Sequence, residues 1–389
     1  MYLKNVTGVV LSNASLDIAF HDTYYVVAQP VKLSLLPLLI LPNSKNFNEV
    51  SYLKDTIINQ FRDQRGVYLW TRKETYQQIS GLRYFSSCTS KNTVLDPFFI
   101  TGFSDGEASF IISVNYNENS ALKWQVKAAF QIGLHINELP LLLEIKKFFN
   151  GTGHLNFDYN KGVAKFIVSK MEDLINNIIP HFNSFPLLTQ KHVDFILWCK
   201  IIKKIKNKEH LSIEGLTEIL NIKSGLNLGL SSKLKEAFPK LNPYIRPTLN
   251  LQYDINPQWL TGFVTGEGSF SASPYNPKIR AYRVRFLISQ HKRDLILLEH
   301  IAAFLGTGAV YKVGNSAYNY EISSYKKNYE IILPFFNKNP LPNLSLKAKN
   351  FYIWKQILEI MNLGLHKGNT NPDKKLELDK LISSINKYD

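Results

Sequence analysis

Two cysteines, Cys88 and Cys199, are all that 389 residues contain, too few for a disulfide framework or a cysteine zinc site. Long apolar runs are missing as well. The most hydrophobic stretch, residues 31–42 (VKLSLLPLLILP), is too short to span a bilayer and has Pro37 inside it. A transmembrane enzyme is therefore disfavoured, and no membrane anchor is expected. The N-terminus does not read as a secretory signal, and Asp17, His21 and Asp22 interrupt any basic amphipathic presequence. Acidic residues are scarce beside basic ones: 31 Asp+Glu against 46 Lys+Arg leave a formal charge of +15. Such a charge suits a solubilising surface or a polyanionic partner, with nucleic acid ahead of an anionic membrane.

The chain does contain a copy of itself. Residues 95–114 (LDPFFITGFSDGEASFIISV) and 255–274 (INPQWLTGFVTGEGSFSASP) align Pro97 with Pro257, Gly102 with Gly262, Gly106 with Gly266 and Glu107 with Glu267. Downstream, 141–155 answers 297–310, 178–187 answers 331–341, and 191–202 answers 347–358. Matched blocks in one order signal a duplicated domain. With only two copies, each longer than a solenoid unit, the expectation is a pseudo-twofold pair rather than an array.

Each copy opens on a helix start, with Asp96 or Asn256 as N-cap and Pro97 or Pro257 at the first helical position. A helix of about two turns is expected, ending near Gly106 and Gly266. Strand chemistry follows. In 123–131 (KWQVKAAFQ), Trp124, Val126, Ala128 and Phe130 share one face, with Lys123, Gln125, Lys127 and Gln131 on the other. The second copy sets Tyr282, Val284, Phe286 and Ile288 against Arg283 and Arg285. Period-two alternation predicts half-buried antiparallel strands. A solvated sheet face would explain one such pattern, but its basic side recurs in both copies. Helical patterns at 139–149, 173–177, 192–206, 295–304, 328–336 and 348–361 complete an α+β plan. The expected divisions are 95–230 and 255–389 for the copies, with a proline-bearing linker at 231–254 (Pro239, Pro243, Pro247).

Glu107 and Glu267 are the only acids kept at matched positions of the opening blocks. If the two opening helices pack together, Gly102 and Gly262 let the backbones approach, and the carboxylates emerge side by side. Adjacent carboxylates repel unless protons or cations intervene. Hard oxygen donors suit Mg²⁺ or Mn²⁺, which retain waters and accept phosphate oxygens. Ions held there would activate water and stabilise the leaving oxygen of a phosphodiester. A lone motif would more simply read as a capped turn; its duplication favours chemistry.

The blocks ITGFSDGEA (100–108) and LTGFVTGEG (260–268) resemble LAGLIDADG motifs, and the resemblance continues over about residues 95–360. It implies a saddle of two ααββαββα-type repeats, with DNA on the sheet faces and cleavage of both strands across the minor groove. The metal-binding acid of the motif falls on Glu107 and Glu267. The sixth motif position is Asp105 in one copy and Thr265 in the other. The basic residue the family keeps near its centre falls on Lys191 and Lys347, and the strand-end glutamine on Gln290, where the first copy has Leu134. The implied DNA-facing residues are Lys123, Gln125, Lys127, Gln131, Arg283 and Arg285.

Residues 7–28 (TGVVLSNASLDIAFHDTYYVVA) resemble a stretch of cytochrome c oxidase subunit I, and the resemblance stops at Gln29. Such a switch reads as an exon running into an intron, with 1–28 an exon-like tail and 29–94 an uninterpreted lead segment. This implies a mitochondrial, intron-encoded protein, monomeric because both copies lie in one chain, acting on double-stranded DNA at the joined exons. An RNA-binding maturase that assists splicing of its own intron is the alternative, and both activities are compatible with one fold. A nuclease-dead DNA-binding protein and a respiratory-enzyme fragment are weaker readings, since both carboxylates are present and nothing beyond Ala28 continues the oxidase.

Overall fold

The structure, a computed structural model, describes residues 9–12, 15–19, 24–28, 67–71, 95–247, 253–276, 281–365 and 371–387. It divides into residues 1–93 and 94–389. In the first unit, β1 (Val9–Ser12), β2 (Ser15–Ala19), β3 (Tyr24–Ala28) and β4 (Val67–Thr71) form an antiparallel sheet in that order. The rest of the exon-like tail and of the lead segment lies outside the described residues.

The second unit holds both repeats. The first runs α1 (Pro97–Glu107), β5 (Ala108–Tyr116), β6 (Trp124–His135), α2 (Leu139–Phe148), β7 (His154–Asp158), β8 (Val163–Val168), α3 (Ile179–Ser184), α4 (Lys191–Lys206), α5 (Ile213–Ser224) and α6 (Ser232–Ala237). The second runs α7 (Pro257–Glu267), β9 (Gly268–Asn276), β10 (Ala281–His291), α8 (Leu295–Leu305), β11 (Ala309–Val313), β12 (Ala317–Ile322), α9 (Leu333–Lys338), α10 (Leu346–Asn362) and α11 (Pro372–Ser384). The fold is α+β, with antiparallel sheets ordered β5-β6-β8-β7 and β9-β10-β12-β11. Among the described residues, one helix opens each repeat rather than two.

Local chemistry explains the elements. Asp96 and Asn256 accept from the Phe98 and Gln258 amides, satisfying orphan helix donors. The opening helices run 11 residues, about three turns, and pass through Gly106 and Gly266. They stop where Ala108 and Gly268 turn extended, at ψ 159° and 155°. On β6 the pleat buries Val126, Ala128, Phe130 and Ile132, and Phe110 of β5 pairs with Phe130. On β10 it buries Val284, Phe286 and Ile288. These faces carry α4 and α10, whose Trp198 and Trp354 are fully buried against Phe110 and Phe270. Before α3 and α9 the backbone opens into π turns at Leu174–Ile178 and Asn328–Ile332. Pro180 and Pro334, one residue into each following helix, supply no donor, and the ladder widens just ahead of them.

The duplication extends past residue 360. Asn227 after α5 and Asn386 after α11 both adopt positive φ, 50° and 59°. Their amides donate to Asp194 and Asn350, and their side chains to the Phe110 and Phe270 carbonyls. Each repeat thus carries, after its long helix, a further helix whose end is pinned back on its sheet. The segment between repeats is not slack throughout. Arg246 reaches both carboxylate oxygens of buried Asp194, at 2.6 and 3.1 Å, and also the Gly225 and Gln190 carbonyls.

Candidate active site

The site begins where α1 crosses α7. A Cβ added to Gly102 would lie 1.9 Å from the Trp259 carbonyl oxygen, and one on Gly262 would lie 2.1 Å from that of Phe99. Only glycine lets two backbones touch at these points. Further along, a Cβ on Gly106 would be 3.1 Å from Glu267 Cγ, and one on Gly266 would be 3.1 Å from Glu107 Cγ. Each glutamate stem therefore lies against the other helix's glycine, and the two carboxyls share one end of the crossing.

Burial holds the Glu107 carboxyl above the ordinary glutamate range, and the Glu267 charge raises it further. Lys191 and Lys347 pull it partly back. Glu267 is raised by burial and opposed by Lys191, a hydrogen bond from Gln290, and Lys347. The lysines are the mirror case: burial lowers both ammonium groups, and the surrounding carboxylates oppose the shift. Lys191 Nζ donates to the Ser104 and Gly106 carbonyls at 2.9 Å each. Lys347 Nζ donates to the Gly268 carbonyl. Two carboxylates and two ammonium groups thus meet at the helix ends, with Gln290 on one side only.

Among the described residues no three His, Cys, Asp or Glu side chains group as a closed metal cage. Two adjacent carboxylates whose pKa values burial raises supply the hard oxygen donors that suit a divalent ion completing its shell with water and phosphate.

Asp105 does different work. It is 4 % exposed and accepts from the Leu188 amide, the Thr189 amide and hydroxyl, and the Trp259 indole of the other repeat. It thereby fixes the turn leading to Lys191. Thr265, at the same motif position, only donates back to the Thr261 carbonyl of its own helix.

The open sheet faces differ. Gln125, Lys127 and Gln131 lie on the face of β6 opposite the core, beside Asn115, Ser113 and Ser109 of β5. Arg283 and Arg285 lie on the matching face of β10, beside Ser273 and Ser271 of β9. Lys123 is not on the strand. It sits in the preceding turn at φ 61° and its ammonium donates to the Glu118 carbonyl. Alternation alone does not register a turn residue, which is why the sequence pattern extended one position too far.

The model of the family described as LAGLIDADG endonuclease matches residues 100–202 and 260–358. The chain belongs to this LAGLIDADG family. A relative in Neurospora crassa, "Probable intron-encoded endonuclease 3", is 36% identical over 290 residues, covering 73% of this chain and 54% of its own. The chain spans about half the length of the curated relatives it matches first. The crystal structure of the LAGLIDADG homing endonuclease I-LtrWI bound to target DNA is 36% identical, with a TM-score of 0.71 over 75% of this chain and 97% of that one. I-SmaMI, bound to an uncleaved DNA target in the presence of calcium ions, is 31% identical at TM-score 0.72, over 76% of this chain and 100% of that one.

Other residues at this LAGLIDADG centre escape motif reading. Glu138 Oε1 accepts from the Leu346 amide, and Asp294 Oδ1 from the Gln190 amide. A signal for them existed: HINEL (135–139) and HKRDL (291–295) repeat a His-x-x-acid-Leu pattern at matched positions. Arg246 has no such repeated signal.

Proposed function

We propose that this chain makes a site-specific double-strand break in DNA by metal-dependent phosphodiester hydrolysis. The observation that carries the reading is the Glu107 and Glu267 pair at the crossing of α1 and α7, flanked by Lys191 and Lys347. Glu107 and Glu267 would hold Mg²⁺ or Mn²⁺. Such an ion supplies an activated water and charge stabilisation at the leaving oxygen. The chain's own side chains arrange the rest. Lys191 and Lys347 bring fixed positive charge to the phosphates while their backbone partners hold them in place. Gln290 donates to Glu267 and orients that carboxylate, an aid the first repeat lacks at Leu134. Lys127, Gln125 and Gln131 on one sheet, Arg283 and Arg285 on the other, and Lys123 at a hairpin tip are proposed to meet the DNA. Phosphate contacts would set register and base contacts would set sequence.

The chain carries both halves of the centre and is proposed to act as a monomer. Its target is proposed to be the uninterrupted junction of the exons flanking its own intron. The resemblance of residues 7–28 to an oxidase exon supports a mitochondrial gene and an upstream half-site encoding about residues 25–28. The test pairs a plasmid carrying the joined exons with one carrying the intron, each incubated with and without Mg²⁺. Magnesium-dependent linearisation of the joined-exon plasmid alone is the expected result. Cutting of neither, with tight binding to the intron RNA, overturns it in favour of a splicing role.

A further inference from the structure

Lys191 and Lys347 each follow a residue whose backbone amide is claimed by the opposite repeat. The Gln190 amide donates to Asp294 Oδ1 at 2.7 Å, and the Leu346 amide donates to Glu138 Oε1 at 2.9 Å. Both acids end a single 3₁₀ turn after the long central strand, Ile136–Glu138 and Lys292–Asp294. Those turns are set by His135 and His291, whose Nδ1 atoms accept from the amides two residues on, at 3.3 Å in both repeats. The same crossed bond thus occurs twice, related by the pseudo-twofold. A glutamate makes it in one direction and an aspartate in the other.

The positions have a physical logic. Gln190 and Leu346 lie at the N-termini of α4 and α10, where amides lack helical acceptors and the dipole favours a carboxylate. Asp294 is 4 % exposed, and Glu138 Oε2 is buried without a hydrogen-bond partner. Neither acid is an ordinary solvated surface group. Each lysine is therefore held twice. Its ammonium rests on carbonyls of its own repeat, while the residue before it is fastened to the other. Gln190 is gripped on both sides, since Arg246 also takes its carbonyl oxygen.

Resting on the nuclease reading above, we propose that Glu138 and Asp294 are positioning residues, each setting the lysine of the opposite repeat. Neither half of the centre is then complete on its own repeat. Groups that orient metal-ligating side chains typically change activity about 10- to 100-fold when lost, and these acids stand one step behind the lysines in the same way.

The test combines strand-specific nicking with hydrogen exchange of the full chain. Asp294→Ala is expected to slow, about tenfold, the strand that Lys191→Ala slows, and Glu138→Ala the strand that Lys347→Ala slows. Asp294→Asn and Glu138→Gln, whose amide oxygens still accept from the same N–H, are expected to recover most of the rate. DNA affinity measured in calcium should stay within about threefold. In the free protein, exchange should rise around Gln190 in Asp294→Ala and around Leu346 in Glu138→Ala, each without the other. Equal slowing of both strands, no recovery in the amide variants, or unchanged exchange overturns the proposal. If the unaltered chain cuts neither strand with Mg²⁺, the nuclease reading fails, and the crossed exchange pattern alone decides whether these acids position the lysine helices.

Discussion

At the sixth position of the two motifs, Asp105 gathers four hydrogen bonds from the Lys191 turn and from Trp259, whereas Thr265 bonds its own helix. The Lys347 turn has no such acid and relies instead on Ser345, which accepts from the Ala348 amide, while Glu138 reaches it from across the interface just as Asp294 reaches the Lys191 turn. Gln290 adds the opposite bias, since its aid goes to Glu267 and Leu134 offers none. A pair of copies keeps its two acids and two lysines while the supports behind them drift apart. What is matched is therefore the set of charged groups at the end of the crossing, and what is free to differ is the means of holding it.

The largest effect expected from this comparison is at the shared carboxylates. Glu107→Gln and Glu267→Gln are each expected to lower double-strand cleavage by about a thousandfold or more, while calcium-supported DNA binding persists. Equal losses in the two variants, measured in single-turnover assays, would show that the unlike supports still serve equal chemistry. The same variants should gain stability without divalent ions. A carboxyl whose folded pKa lies above its unfolded value stabilises the fold below the unfolded value and loses that contribution as pH rises through the folded one. Both glutamates are raised in this way. Removing one should therefore lift Tm near pH 7.5, with the gain fading toward pH 4.

Next is Asp105 against Thr265. Asp105→Ala strands two buried amides and an indole N–H, a cost of about 4 kcal/mol. Thr265→Ala removes only a bond back to its own helix, worth under about 1 kcal/mol. Urea titration of the two variants reads the difference directly. Similar midpoints would mean that the Asp105 network carries no stability of its own.

The sheet faces offer the third contrast. Replacing Arg283 and Arg285 together by Ala should reduce the slope of log affinity against log salt by about two, and Lys127→Ala by about one. Gln125→Ala and Gln131→Ala should leave the slope unchanged and instead relax base preference. An unchanged slope for the arginine pair would place the phosphate contacts elsewhere.

The smallest effect is at Gln290. Gln290→Leu copies the first repeat and should bring the two nicking rates closer. Strand-specific labelling over a time course checks it.

Much of the α+β plan was legible because it is local. N-caps, prolines at the first helical turn and period-two alternation are written within a few residues of where they act. The carboxylate pair was legible for a different reason: duplication marks Glu107 and Glu267 as the only matched acids of the two opening blocks. Supports that join distant segments were not. Glu138 and Leu346 are 208 residues apart, and nothing local to either announces the other. Arg246 sits in a stretch that reads as a linker from its prolines, yet its guanidinium binds Asp194 and Gln190. The late helices α5 and α11 were missed as a matched pair because their sequences diverge, while Asn227 and Asn386 keep the same two bonds.

The Arg246 clamp also decides where this chain could be made in two pieces. Arg246 belongs to the first repeat by its bonds, so a break placed just beyond Pro247 leaves that anchor intact. Each fragment would then carry its own buried core, one glycine of the crossing, one carboxylate and one of the crossed acids. Neither fragment would own a finished centre, and mixing them would restore it through the paired surfaces of α1 and α7 together with the crossed bonds of Glu138 and Asp294. A break placed before Arg246 would instead transfer that guanidinium to the wrong partner and leave Asp194 a buried, unmatched charge.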